Sequence, residues 1–429
     1  MTTELNAIAF KAQTHPKHRF QNLYGLLKSD LLYLGWANLN KQSVAGIDSV
    51  TTKDYEYRLP ENINTLAEQL KHNLYRASEV KRVYIPKSNG KERPLGLPTV
   101  EDKLVQQSVS EILKSIWEQD FLPNSYGYRP GKSAHQAIKS LQLNLQYNRY
   151  GYIVEADIKG FFDNMNHAWL IRKLEQRIDD KRILSLINQW LKAKIEEPNG
   201  TKHKPSSGSP QGGVISPILA NIYLHYALDL WFEKRFKRKL KGKAMLIRYA
   251  DDFVVAFQYR DEARDFYKAL GPRMEKFNLT LAAEKTSLKR FSRFHSCHQS
   301  RFTFLGFDFY WDTDYKGLQR VRRRTSRKKH KASIKAYYDW IKLNRHRRLD
   351  HLIPELKRKM IGFSNYFGFP DNSLSLARIN NHILHSLYKW LNRRSQRRSF
   401  NWQGFLDMLR YFQVQPMRVS KRNITVDWY

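Results

Sequence analysis

The stretch "LIRYADDFVVAF", residues 246–257, constrains this chain most. Two apolar runs meet at Ala250-Asp251-Asp252, the pattern of a hairpin with buried strands. The paired carboxylates stand out because the chain carries 75 Lys and Arg against 40 Asp and Glu, a formal net charge of +35. Self-repulsion at that charge opposes a compact fold, so an anionic partner is expected. Nucleic acid is the first candidate and an anionic membrane surface the second. No apolar run is long enough to span a bilayer, and "MTTELNAIAF" lacks a signal peptide's basic start and long apolar centre. One cysteine, Cys297, excludes an internal disulfide and a Cys-rich zinc site. The 41% hydrophobic and 13% aromatic content argues against disorder. A soluble, intracellular nucleic-acid-binding protein of two or three domains is the expectation from bulk properties.

The first 75 residues read as helices around an extended connector, "KQSVAGIDSVT". "VKRVYIPKSNGKERPLGLP" alternates about Val83 and Ile85 and turns at Ser88-Asn89-Gly90, a β-hairpin with a basic tip. Thr99 is placed as the N-cap of a helix carrying Leu104, Val105, Val109, Ile112, Leu113 and Ile116 at helical spacing. "GYIVEADIKGFFDNMNH" is a strand entering a turn, and "RILSLINQWLKAKI" is helical. "SSGSPQGGVISPILANIYLHYALDLWFEKRF" begins as a Gly/Ser/Pro loop and becomes a long helix. A helix, a strand and a loop follow in 261–286, and "RFTFLGFDFYW" is a further strand. This mixture points to an α/β or α+β body. After about residue 316 the chain turns basic and helical, with a boundary expected within 312–330.

Successive strand side chains alternate faces, so Asp157 shares one with Ile153 and Glu155 at its strand's end. Asp251 and Asp252 diverge if both are strand residues; one then converges with Asp157 and the other stands behind it. Two carboxylates from different strands suit Mg²⁺, and an ion pair suits in-line phosphoryl displacement. Read alone, "ADD" is equally a polar turn, and Asp157 a surface or capping acid.

The neighbouring motifs separate these readings. "YADD", "DIKGFFDNMNH" and "GSPQGGVISPILANIYL" together resemble the active site of a reverse transcriptase. Their order resembles the group II intron-encoded reverse transcriptases, or maturases, from "RVYIPKSNGKERPLGLPTVEDKLVQ" onward, through "FLPNSYGYRPGKSAHQAI", "KFNLTLAAEKT" and "FTFLGFDF". The resemblance implies an α+β right-hand polymerase fold, with an antiparallel sheet in fingers and palm and a helical thumb, or X, domain. The division is then an N-terminal extension over 1–75, fingers and palm over 76–315 with the palm core about 150–315, and the thumb over 316–429. It implies two Mg²⁺ ions held by Asp157, Asp251 and the Ile158 carbonyl, with Asp252 a weaker third acid. Phe162 stands where the family has an aromatic gate against a ribose 2′-OH; Phe161 reads as core. Lys87 and Arg93 match fingers residues on the dNTP triphosphate, charge-assisted contacts that suit both types. Gln211 matches the residue against the incoming nucleotide, and its two following glycines let backbone approach a substrate closely. Lys285 matches a lysine near the triphosphate that donates a proton to pyrophosphate. Arg129 and Lys132 match template contacts, with Ser133 an N-cap.

Arg322, Arg323, Arg324, Arg327, Lys328, Lys329 and Lys331 form the densest basic run, expected to bind RNA. The aromatics of "SNYFGF" and Trp390 read as helical core. "FHSCHQS", with His295, Cys297 and His298, has no second cluster to complete a metal site. The implied partners are group II intron RNA, an RNA template with DNA primer, target DNA and dNTPs, with no membrane, in the bacterial cytoplasm or an organelle. The implied role is RNA-directed DNA synthesis with assistance to splicing and retrohoming. Longer family members carry a Cys/His-rich endonuclease domain after the thumb. The present chain ends at "SKRNITVDWY", so bottom-strand cleavage is not expected and a primer must come from elsewhere, such as a nascent strand. The alternatives are a domesticated, defence-associated or retron-type reverse transcriptase, and, in another class, a non-catalytic RNA-binding splicing factor.

Overall fold

The computed structural model describes residues 3–86, 92–295 and 300–419. The chain forms two compact units, one of residues 1–137 and 152–288, the other of 138–151 and 289–429. Helices and antiparallel strands occur in both, so the α+β expectation holds. Among the described residues no helix is long and apolar enough to cross a membrane.

In the first unit, β1 (Val80–Pro86) and β2 (Glu92–Leu97) form the expected hairpin, in register from Lys81 opposite Leu97 to Pro86 opposite Glu92. Its tip, with Lys87, lies outside the described residues. The central sheet contains β3 (Tyr152–Asp157), β4 (Ala244–Tyr249) and β5 (Asp252–Phe257), with β5 between the other two and antiparallel to both. Val154, Phe253, Val255 and Phe257 are fully buried. Runs this apolar need cover on both faces. The helices Val100–Trp117, Ser216–Leu224 and Arg260–Glu275 contribute to the same core. Thr99 caps the first of them, its hydroxyl accepting from the Asp102 amide at 3.2 Å. Leu5, Leu32, Trp36 and Ile63 pack into this core too, so residues 1–75 are not a separate body.

The Ser216–Leu224 helix runs on into a π-helical turn, His225–Asp229. His225 is buried, edge-on to Phe121 at 5.5 Å. Burial, reinforced by Arg248, Lys234 and Arg129 against the opposing pull of Asp229, pushes its pKa down to about 4. The unfolded chain binds this proton near pH 6.5 and the folded one only near 4. Stability should therefore fall by about 3 kcal/mol as pH drops through that window. Denaturant titrations at pH 7 and pH 4.5 should show a smaller loss for His225→Gln than for the wild type.

The second unit holds a three-stranded antiparallel sheet, with β7 (Phe307–Thr313) between β6 (Phe302–Phe304) and β8 (Gln319–Thr325). Phe302, Phe307, Phe309 and Trp311 are buried on it. The free edge of β8 is closed by side chains. Gln142 and Gln146, one turn apart on the helix Ala134–Tyr147, bond Val321 and Gln319, while Asp371 and Asn372 accept from the amides of Arg323 and Thr325. An edge satisfied this way cannot recruit another strand. Helices Arg327–Asn344, Leu349–Phe367, Ser373–Leu391 and Trp402–Tyr411 bury Ile341, Leu356, Ile383 and Phe405.

The compact units do not divide at 315/316, which lies within the β7–β8 hairpin: backbone pairing keeps Phe307–Thr313 with Gln319–Thr325, and the first unit ends at Leu288. The chain does not turn helical directly after residue 316: Arg322–Arg324 lie in β8, and Arg327–Lys331 open the next helix.

Candidate active site

Asp157 ends β3, and β4 and β5 are joined by Ala250 and Asp251 alone, with Tyr249 opposite Asp252. A two-residue turn of this kind needs positive φ to match strand twist, and Ala250 has φ +56°. The adjacent acids are therefore not both strand residues. Asp251 occupies the turn, while Asp252 starts β5 directly opposite Asp157.

A cavity of about 560 Å³ opens where these elements meet. Asp157, Ile158, Phe162, Arg93, Gln211, Asp251 and Lys285 all line it. Lys285 Nζ lies 2.5 Å from Asp157 Oδ2, and that hydrogen bond is the main cause of its raised pKa, with Asp252 adding to it. Asp251 titrates above the usual carboxylate range, first through burial and then through the charge of Asp157. A buried carboxylate set beside a second one forms a site prepared for a cation. Among the described residues no three His, Cys, Asp or Glu side chains are arranged to hold a metal ion. Of the three expected acids, Asp157 and Asp251 line the cavity and Asp252, expected to be the weaker one, does not. Two carboxylates and a main-chain carbonyl are a hard oxygen donor set, which fits Mg²⁺ with water and phosphate completing its shell.

The "SPQGG" loop is braced from both sides. Ser209 N donates to Phe162 O at 2.8 Å, and Gly96 N on β2 donates to Gln211 O at 2.6 Å. Gln211 is thereby fixed between the Phe161–Asn164 turn and β2, the strand of Arg93. Gly212 has φ +110°, and a Cβ there would meet Gly96 O at 2.5 Å. That missing Cβ spares a neighbouring strand, and Gly212 and Gly213 also line the cavity. Phe161 is buried and Phe162 half-buried, with Tyr128 edge-on to Phe162 at 6.4 Å.

Several expected residues stand elsewhere. Arg129 has a 6% exposed side chain paired to Glu118 and donates to the carbonyls of Leu122 and Ser125, so it braces its loop and cannot meet a phosphate. Arg323 is fully buried, paired with Asp371 and stacked 3.8 Å over Phe369, and is likewise withdrawn from RNA. Arg322 pairs with Asp312, and Arg324 lies over Tyr310. Lys132, Arg327, Lys328, Lys329 and Lys331 are exposed. Lys87, Cys297 and His298 lie outside the described residues, as does the His295 side chain.

Sequence reasoning missed Tyr128, which lines the cavity with φ +58°. Its signal was present in "YGYRPGK", where only the basic residues were singled out. It also missed Arg248, the only arginine in the apolar hairpin.

Residues 85–309, just over half of the chain, match the family described as reverse transcriptase (RNA-dependent DNA polymerase). Residues 327–405 match the group II intron, maturase-specific domain. The group II intron-encoded protein LtrA of Lactococcus lactis subsp. cremoris is 40% identical over 223 residues, 52% of this chain and 37% of that protein. Protein YkfC of Escherichia coli (strain K12) is 35% identical over 249 residues, 56% of this chain and 64% of that protein. A putative COX1/OXI3 intron 2 protein of Saccharomyces cerevisiae is 35% identical over 177 residues, 41% of this chain and 20% of that protein. The chain spans less than two thirds of each of these relatives. It belongs to the reverse transcriptase (RNA-dependent DNA polymerase) family.

Proposed function

We propose that the chain is an RNA-directed DNA polymerase of a group II intron that also binds the intron RNA to assist splicing and retrohoming. The observation that carries this reading is the convergence of Asp157 and Asp251 with Lys285, Arg93, Gln211 and Phe162 on one cavity. In this reading Asp157, Asp251 and the Ile158 carbonyl hold two Mg²⁺ ions. When bound, the ions supply Lewis-acid stabilisation of the attacking and leaving oxygens. Arg93, with Lys87, grips the triphosphate; Gln211 lies against the nucleotide. Lys285, held protonated, supplies a proton to the pyrophosphate leaving group. Fingers and palm belong to the first unit and the thumb to the second, with RNA template, DNA primer, target DNA and dNTPs as substrates, in the cytoplasm or an organelle.

The second half of the proposal rests on charge. Arg327, Lys328 and Lys329 occupy the first turn of a helix capped by Ser326, with no acidic residue there. Cations at a helix N-terminus oppose the macrodipole, and a phosphate relieves that conflict. Replacing all three with alanine should lower the salt slope of intron RNA binding by about 2–3. Filter binding between 50 and 300 mM KCl measures it; an unchanged slope removes these residues from the interface.

The direct test is dNTP incorporation on poly(rA)/oligo(dT) with Mg²⁺. Wild type should extend the primer and Asp251→Ala should not; equal activity ends the polymerase reading. Phe162→Val should raise ribonucleotide incorporation relative to dNTPs by roughly ten- to a hundredfold, because a ring that clashes with a 2′-OH is gone. Competition assays with rATP and dATP on a poly(dT) or poly(rU) template check this, and an unchanged ratio removes the gate from Phe162.

A further inference from the structure

Arg248 is fully buried, as are its partners Asp229 and Asn221. Its Nε and Nη2 donate to the two Asp229 oxygens at 2.9 and 2.6 Å. Its Nη1 donates to Asn221 Oδ1 at 3.0 Å and to the Ala250 carbonyl at 2.9 Å. Apolar residues of like size pack as well as a buried ion pair or better, so stability alone gives no reason for this one. The contacts give another. Ala250 holds φ +56°, which costs an L-residue about 1–2 kcal/mol. Beside it runs Gly127, so close that a Cβ there would lie 2.2 Å from Ala250 N. Asn221 Nδ2 donates to the Gly127 carbonyl at 2.7 Å, and the Arg248 backbone bonds Asn124 and Tyr126. One buried network thus holds the turn bearing Asp251 and the segment leading to Tyr128.

We infer that Arg248, fixed by Asp229 and Asn221, is a positioning residue: it grips the Ala250 carbonyl so that the turn keeps the left-handed backbone that sets Asp251 beside Asp157. This rests on the polymerase reading above. It predicts that the arginine acts on turnover through the backbone and not on nucleotide affinity.

Two variants test it. Arg248→Met with Asp229→Asn removes both charges together, so no lone charge stays buried. Arg248→Lys keeps a charge facing Asp229 but lacks the fork that reaches Asp229 and Ala250 at once. Each is made with Ala250 and with Ala250→Gly, since glycine adopts left-handed backbone without strain. Tm, KM for dTTP and kcat on primed poly(rA) are measured. Folded variants should keep KM within about twofold of wild type while kcat falls about a hundredfold. Glycine should recover about tenfold of that loss, because the turn then needs less holding. Unchanged kcat, a loss that glycine does not recover, or a rise in KM matching the loss overturns the inference. If the double variant fails to fold, Arg248→Lys decides by the same readings; if neither folds, the arginine is structural and the inference falls. Wild type that incorporates no dNTP sinks the polymerase reading instead, whereas active wild type with equally active variants sinks only this inference.

Discussion

Asp157→Asn and Asp251→Asn should each cut primer extension by about a thousandfold, which is about 4 kcal/mol of transition-state stabilisation. Asp252→Asn should cost less, about tenfold, because Asp252 does not line the cavity and acts on its charge from the opposing strand. Single-turnover extension of a labelled primer measures all three. A residual rate for Asp251→Asn within tenfold of wild type would remove the turn from the chemistry. The same substitution has a second consequence of opposite sign. Burial and the charge of Asp157 raise the Asp251 pKa, so its ionised form opposes folding at neutral pH. For a carboxyl whose folded pKa lies above its unfolded one, that penalty is present above the folded value and fades as pH falls. Asp251→Asn should accordingly melt above wild type at pH 7.5 in EDTA, and the gap should close as the buffer is acidified. A site that gains stability when it loses its acid is one shaped for a cation.

The central hairpin was legible because both period and composition are local: two apolar runs and a turn read the same alone as in the fold. The convergence of Asp157 with Asp251 was legible through motif order. Strand alternation alone left open whether Asp251 or Asp252 faces the cavity, since one step of register decides it and register is set by pairing with Tyr152–Asp157; the resemblance is what singled out Asp251. Charge was the weakest guide. Arg129, Arg323 and Arg248 look alike in a sequence at +35, yet all three are buried against carboxylates remote in sequence. Nothing local to an arginine announces that its partner stands many residues away. The compact units divide elsewhere than the composition does for a related reason: composition changes near 316, but a strand whose partner lies before that point stays in its partner's unit.

Gly212→Ala should be strongly damaging for a change of one methyl group. An alanine at φ +110° is strained by about 1–3 kcal/mol before any contact is counted. Its Cβ would also stand 2.5 Å from the Gly96 carbonyl, which is backbone and cannot rotate away. Overpacking of that kind adds about 1–3 kcal/mol more. Relief requires Gln211 and β2 to separate, which breaks the 2.6 Å bond from Gly96 N to Gln211 O. Arg93 sits on that strand three residues earlier, so the substitution should move both a nucleotide contact and a triphosphate contact at once. Tm should fall by several degrees, and KM for dNTP should rise about tenfold or more in whatever fraction stays folded. Gly213→Ala separates this from a general intolerance of the loop. Its Cβ would meet the Ser216 hydroxyl at 2.8 Å, a group that can rotate, and Gly213 carries no positive φ. It should therefore cost clearly less in both measurements. Equal losses at the two glycines would mean that loop flexibility, and not the contact with β2, is what the motif preserves.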